Sequence, residues 1–126
     1  MDVTLDELRG RLEKEGLALL DVRTPPEFEG AAGAPCDPRQ GHIPGAHNVP
    51  LDRLFQARSL EEVRTLVGLP EGSEVVAYCH TGVRSGYAVE VLRKAGYDAR
   101  NYVGSWHEWS RDASLPAEPE PQNPLC

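Results

Sequence analysis

No run of this chain is apolar for long enough to cross a bilayer, and the opening MDVTLDELRG has no apolar stretch behind basic residues. A spanning helix, a membrane partner and a secretory leader are therefore not expected, and the expected location is cytoplasmic. Cysteine is scarce: Cys36, Cys79 and Cys126 are an odd number at wide, unpatterned spacing. That argues against a disulfide scaffold and fits a reducing compartment. His42, His47, Cys36 and Cys79 can be assembled on paper, but their spacing matches no paired-ligand pattern such as Cys-x-x-Cys, so no metal and no cofactor is expected. A basic stripe is also missing. The net charge of −7 argues against nucleic acid as a partner, although a local cation can still hold a small anion. Internal repeats and coiled-coil heptads are absent, which leaves the oligomeric state open.

What is present is enough for one core. A chain of 126 residues with 40% hydrophobic content can bury one compact interior and is too short for two ordinary domains. Thr4 with Glu7, followed by Leu5, Leu8 and Leu12 at helical spacing, predicts an amphipathic helix that stops at Gly16. Leu17 to Leu20 reads as a buried strand that presents Asp21 and Arg23 at its carboxyl end. Thr24-Pro25-Pro26 is expected to break regular structure. From Gly30 to Gly45 the chain is rich in Gly and Pro without periodicity, as in a long irregular excursion, and Ala46 to Pro50 reads as a short strand. Ser59 with Glu62 repeats the capping signature ahead of a helix ending at Gly68. Glu74 to Tyr78 is a strand, Ser85 or Gly86 to Ala95 a helix, Asp98 to Val103 a strand and Ser105 to Arg111 a last helix. Trp106 and Trp109 are expected to form a core-facing pair. Strands alternating with helices imply an α/β domain with a mainly parallel central sheet and helices on both faces. Its limits are set at residues 1–115. Residues 116–126 are left as a Pro-rich C-terminal tail, whose deletion from Ala117 onward is expected to cost little because it packs weakly.

The most informative segment is Cys79-His80-Thr81-Gly82-Val83-Arg84-Ser85, which follows an apolar strand and opens a helix. A thiol there faces unpaired helix amides and the positive end of the dipole, and both favour thiolate. Gly82 permits positive φ, so that successive amides converge into a nest. Arg84 supplies a planar fork of donors suited to an oxyanion.

Four motifs in order, Asp21-Val22-Arg23 with Glu27-Phe28, Gly41-His42-Ile43-Pro44-Gly45-Ala46, the Cys79–Ser85 loop and Gly104-Ser105-Trp106-His107-Glu108-Trp109, resemble the rhodanese-type sulfurtransferases. The resemblance runs from about Leu5 to Leu115. The GSWHEW segment and the insertion between Phe28 and Gly41 look most like the catalytic half of tandem thiosulfate sulfurtransferases. The resemblance implies a single rhodanese-like domain in which Cys79 is the nucleophile that carries sulfane sulfur from thiosulfate, as a persulfide, to cyanide or a thiol. It further implies that His80, Thr81, Gly82, Val83, Arg84 and Ser85 hold the anion, and that Asp21, Arg23, Glu27 and His42 are structural residues near the site. The implied partners are a small sulfur donor and acceptor, with a sulfur-relay protein as a further possibility. His80, adjacent to the nucleophile on a tight loop, is expected to point elsewhere than a general base would. Cys36 is read as a bystander thiol or a resolving one, and Cys126 as inert. A cysteine phosphatase or arsenate reductase is the competing enzyme class, but its loop is one residue longer than the four residues His80 to Val83 found here. The third alternative is a non-enzymatic persulfide-relay or docking module.

Overall fold

The computed structural model describes residues 2–15, 17–35 and 37–119, so the expectations for Gly16, Cys36 and Cys126 lie outside the described residues. Five parallel strands form one sheet: β1 (Asp2–Val3), β2 (Ala18–Asp21), β3 (His47–Asn48), β4 (Glu74–Tyr78) and β5 (Asp98–Tyr102), in the spatial order β1-β5-β4-β2-β3. Among the described residues the helices are α1 (Leu5–Glu15), α2 (Pro25–Glu29), α3 (Leu51–Gln56), α4 (Leu60–Val67) and α5 (Val83–Lys94), which lie between strands, and α6 (Ser105–Trp109), which follows β5.

The central strand divides the core by its period of two. Val75, Ala77 and Cys79 pack with Leu20, Val22 and Ala99 against Leu51 and Leu54 of α3, Val63 of α4 and Ala88, Val89 and Leu92 of α5. Val76 and Tyr78 turn the other way and meet Leu19, Tyr102, Leu8 of α1, Ile43, and Trp106 and Trp109 of α6. Each fully buried side chain of this kind contributes roughly 1.5–3 kcal/mol relative to exposure. A strand buried on both faces must be apolar nearly throughout, which is why EVVAY reads as a continuous run.

Capping chemistry sets the helix starts. The Glu7 amide donates to Thr4 Oγ1 at 3.2 Å, and the Glu62 amide donates to Ser59 Oγ at 3.1 Å. The expected break at Thr24-Pro25-Pro26 is instead a third helix start. Thr24 and Glu27 complete a capping box, and the two prolines occupy the first turn, where a missing amide hydrogen costs nothing. The short elements α3 and β1 have no counterpart in the sequence reading. Six and two residues are too few to display a period.

The described residues of the excursion after α2 form no helix or strand but are tied down. The Arg39 guanidinium donates to the carbonyls of Trp109, Ser110, Asp112 and Leu115, and Trp106 Nε1 donates to Arg39 O. Pro116 and Glu118 also adhere to the body. Trp109 Nε1 donates to Pro116 O at 2.7 Å, and His42 and Glu118 exchange both backbone hydrogen bonds.

Candidate active site

Cys79 follows β4 directly, at the carboxyl edge of the parallel sheet, where α/β folds place their ligands. The turn from strand to helix is made by Gly82, whose φ is 91°, and a Cβ there would stand 2.7 Å from Val103 O. No other residue fits that position without a shift of β5's end. Gly82 O accepts the first intrahelical bond of α5 from the Gly86 amide and a second bond from Asn101 Nδ2 at 3.1 Å. The loop is therefore held from beneath as well as by its own helix.

The thiol is buried, and Sγ receives the Gly82 amide at 3.1 Å and the Ser85 hydroxyl at 3.3 Å. Burial alone pushes a thiol pKa up. Here it is outweighed by the Ser85 hydroxyl and the amides of Ser85, Gly82 and Thr81, so the Cys79 thiol lies below its ordinary value. The α5 dipole acts in the same direction.

Ser105 is a partner that residue-by-residue reading of the sequence missed. It is buried with φ 57°, an uncommon conformation for a non-glycine residue, and its hydroxyl donates to Tyr102 O at 2.8 Å while accepting the Cys79 amide at 3.1 Å. The next two amides of α6, from Trp106 and His107, donate to the carbonyls of Cys79 and His80. The only sequence signal for this floor is the Gly-Ser that opens the GSWHEW segment.

Arg84 and Glu27 meet. Arg84 Nη1 donates to Glu27 Oε1 at 2.8 Å and Nη2 to Oε2 at 3.1 Å. The Glu27 carboxyl is half-shielded, which favours the neutral acid, but Arg84 and the Thr24 capping bonds prevail and bring its pKa down to about 2. Thr81 and Val83 are exposed at the loop's rim, Val83 to 64%.

Asp21 and Arg23 form a buried pair at the end of β2. Arg23 Nη2 bonds Asp21 Oδ2 at 2.7 Å and reaches Gly41 O, while the guanidinium lies over the rings of Trp106 and Tyr78. His42 Nδ1 bonds Phe28 O at 2.7 Å, and its ring stacks on Phe28. His47 is exposed on β3.

His80 points to the insertion. Its Nε2 lies 2.8 Å from Oδ2 of buried Asp37, whose other oxygen accepts from Arg111 at 2.6 Å and lies 3.5 Å from His107 Nδ1. The ligand atoms of Asp37, His80 and His107 all lie within 4.8 Å of one another. That spacing suits a metal ion, but the Arg111 guanidinium already supplies the positive charge on Asp37, so the cluster is satisfied as an ion-pair network. Asp37 lies 43 residues before His80 and 74 before Arg111 and belongs to no motif, so only the fold brings it to His80, to His107 of the GSWHEW segment and to Arg111.

A parallel α/β domain with a cysteine cradled by strand-to-helix amides defines the class, and the comparisons give the family. The Rhodanese-like domain model matches residues 4–112, and the chain belongs to that family. It is 32% identical over 123 residues to a thiosulfate sulfurtransferase of Pseudomonas aeruginosa, a match spanning 91% of this chain and 45% of the relative. It is 38% identical over 119 residues to the sulfur carrier protein TtuD of Thermus thermophilus, spanning 82% of this chain and 42% of that protein. Among solved structures, the human single-domain sulfurtransferase TSTD1 superposes with a TM-score of 0.64 at 34% identity, covering 88% of this chain and 96% of the human one. The chain spans less than half the length of these curated relatives. No helix among the described residues is long and apolar enough to cross a membrane.

Proposed function

We propose that this domain is a sulfurtransferase that moves sulfane sulfur from thiosulfate, or another persulfide donor, to cyanide or a thiol through a persulfide on Cys79. The observation that carries the reading is the thiol's setting: Sγ accepts the Gly82 amide and the Ser85 hydroxyl, and its pKa is lowered. A thiolate so prepared attacks without a general base. Sγ forms a bond to the outer sulfur of thiosulfate as the donor's S–S bond breaks, and sulfite leaves with the electron pair. The resulting Cys79 persulfide carries the single negative charge the thiolate had. The loop amides from His80 to Ser85 stabilise it as an oxyanion hole stabilises developing charge. Cyanide or a thiolate then attacks the terminal sulfur and returns Cys79 to thiolate.

Arg84 faces the donor's oxygens. Asp21, Arg23 and His42 hold the walls, and Asp37 holds the His80 ring through Nε2. A free thiolate is best preserved in a reducing compartment, which favours the cytoplasm. The likeness to a sulfur carrier protein supports a second reading, in which the acceptor is a thiol on a relay partner. The four-residue spacing between Cys79 and Arg84 disfavours phosphoryl or arsenate chemistry.

Intact mass before and after thiosulfate, and again after cyanide, tests the reading. A gain of one sulfur that maps to Cys79, disappears with cyanide and is missing in Cys79→Ala is the expected result. No adduct in the wild type sinks it.

A further inference from the structure

Arg84 is the one Lys or Arg of the Cys79–Ser85 loop, and it is already engaged. Two parallel bonds of 2.8 and 3.1 Å join its guanidinium to Glu27, whose side chain is only 16% exposed. The carboxylate is itself fixed. Thr24 donates to Glu27 Oε1 from its amide at 3.2 Å and from its hydroxyl at 3.0 Å, so that Glu27 belongs to the α2 capping box and is held facing the loop.

The pair has no net charge, which matters because the reaction joins two anions. A donor approaching the Cys79 thiolate needs compensating positive charge, and every negative charge it brings to Arg84 is also repelled by Glu27. We propose that Glu27 is a specificity-determining residue, an internal counter-ion that occupies Arg84 in place of the donor's anionic group and makes the site discriminate among sulfur donors by charge. A doubly charged donor is disfavoured relative to a singly charged donor of the same shape. This rests on the sulfur-transfer reading given above. Thiosulfate and methanethiosulfonate form a suitable pair: both present a sulfane sulfur on a tetrahedral sulfonyl centre, with two charges and one. The second donor reacts in the same sense, its S–S bond breaking as the Cys79 S–S bond forms, with methanesulfinate leaving with the electron pair.

The test is the ratio of kcat/KM for thiosulfate to that for methanethiosulfonate in the wild type, Glu27→Gln, Glu27→Asp and the double variant Glu27→Gln/Arg84→Gln. Glutamine keeps an oxygen for the Thr24 cap while removing the charge. The ratio is expected to rise at least about tenfold in Glu27→Gln, as for loss of a unit charge at this range. It is expected to stay near the wild-type value in Glu27→Asp, and to return to within about threefold of that value in the neutral double variant, where both charges are gone. A ratio that does not move in Glu27→Gln, or that moves equally in Glu27→Asp, overturns the proposal, since a merely structural role changes both donors alike. If Glu27→Gln fails to fold, the double variant decides: a ratio far from the wild type overturns it. Cys79 mass adducts separate the two levels of failure. Adducts from both donors with an unmoved ratio defeat only the role of Glu27, whereas no adduct from either donor defeats sulfur transfer itself.

Discussion

At the scale of single residues, the Cys79 thiol is decided by a contest between burial and hydrogen bonding. A covered thiol resists ionisation, yet the Ser85 hydroxyl and three amides reverse the sign. Removing the hydroxyl in Ser85→Ala should raise the Cys79 pKa, because the thiolate loses a hydrogen bond that favours the charged form. Ultraviolet titration of the thiolate, with Cys79→Ala as the blank, reads this directly, and an unmoved midpoint would exclude Ser85 from the thiolate's support. Sulfur loading should vanish in Cys79→Ala while the melting temperature changes by only a few degrees, since sulfur-to-hydrogen truncation leaves a small void. The cysteine, glycine and arginine of the loop were legible because each has one physical role at a strand-to-helix turn. Ser105 was not: its hydroxyl acts only because an unusual φ aims it back at the Cys79 amide.

Elements carry the ion pairs. Glu27 joins the cap of α2 to the loop before α5, and its folded pKa of about 2 lies below the ordinary 4.5. A depressed carboxyl contributes stability above its unfolded pKa and loses it as pH falls through the folded value. Glu27→Gln should therefore unfold more easily than wild type at pH 7, by on the order of 2 kcal/mol after allowance for solvent screening. That gap should close between pH 4.5 and about 2. Urea unfolding at several pH values measures it, and a gap independent of pH would show that the charge is not the cause. Arg39 does comparable work at the exit of α6, where its guanidinium satisfies four carbonyls. Arg39→Ala should cost roughly 2–4 kcal/mol, because it strips charge-assisted bonds from part-buried carbonyls. A melting temperature within 2 °C of wild type, against the several degrees that loss implies, would count against this. The helix starts at Thr4 and Ser59 were legible. The third, at Thr24, was obscured by Pro25-Pro26, which mark a helix start as readily as a break.

On the scale of the whole molecule, the sheet order and the docking of distant segments are decisive. The stretch from Ala117 onward was expected to contribute little, yet Glu118 exchanges both backbone bonds with His42, and Pro116 just before it accepts from Trp109. Truncation after Leu115 should lower the melting temperature by several degrees, through an unpaired Trp109 indole and the loss of two backbone bonds. An unchanged melt would restore the view of a weakly packed tail. What the sequence determined by itself was local: helix caps, the period-two and continuous apolar strands, the alternation that makes a parallel sheet, and a thiol at the head of a helix. These depend on neighbours within a few residues, whose geometry the backbone dictates. Tertiary structure alone decided that Glu27 neutralises Arg84, that Asp37 gathers His80, His107 and Arg111, and that α6 forms the floor beneath Cys79. Those contacts join residues far apart in sequence, and their energies arise only once packing of both sheet faces has brought the charges together.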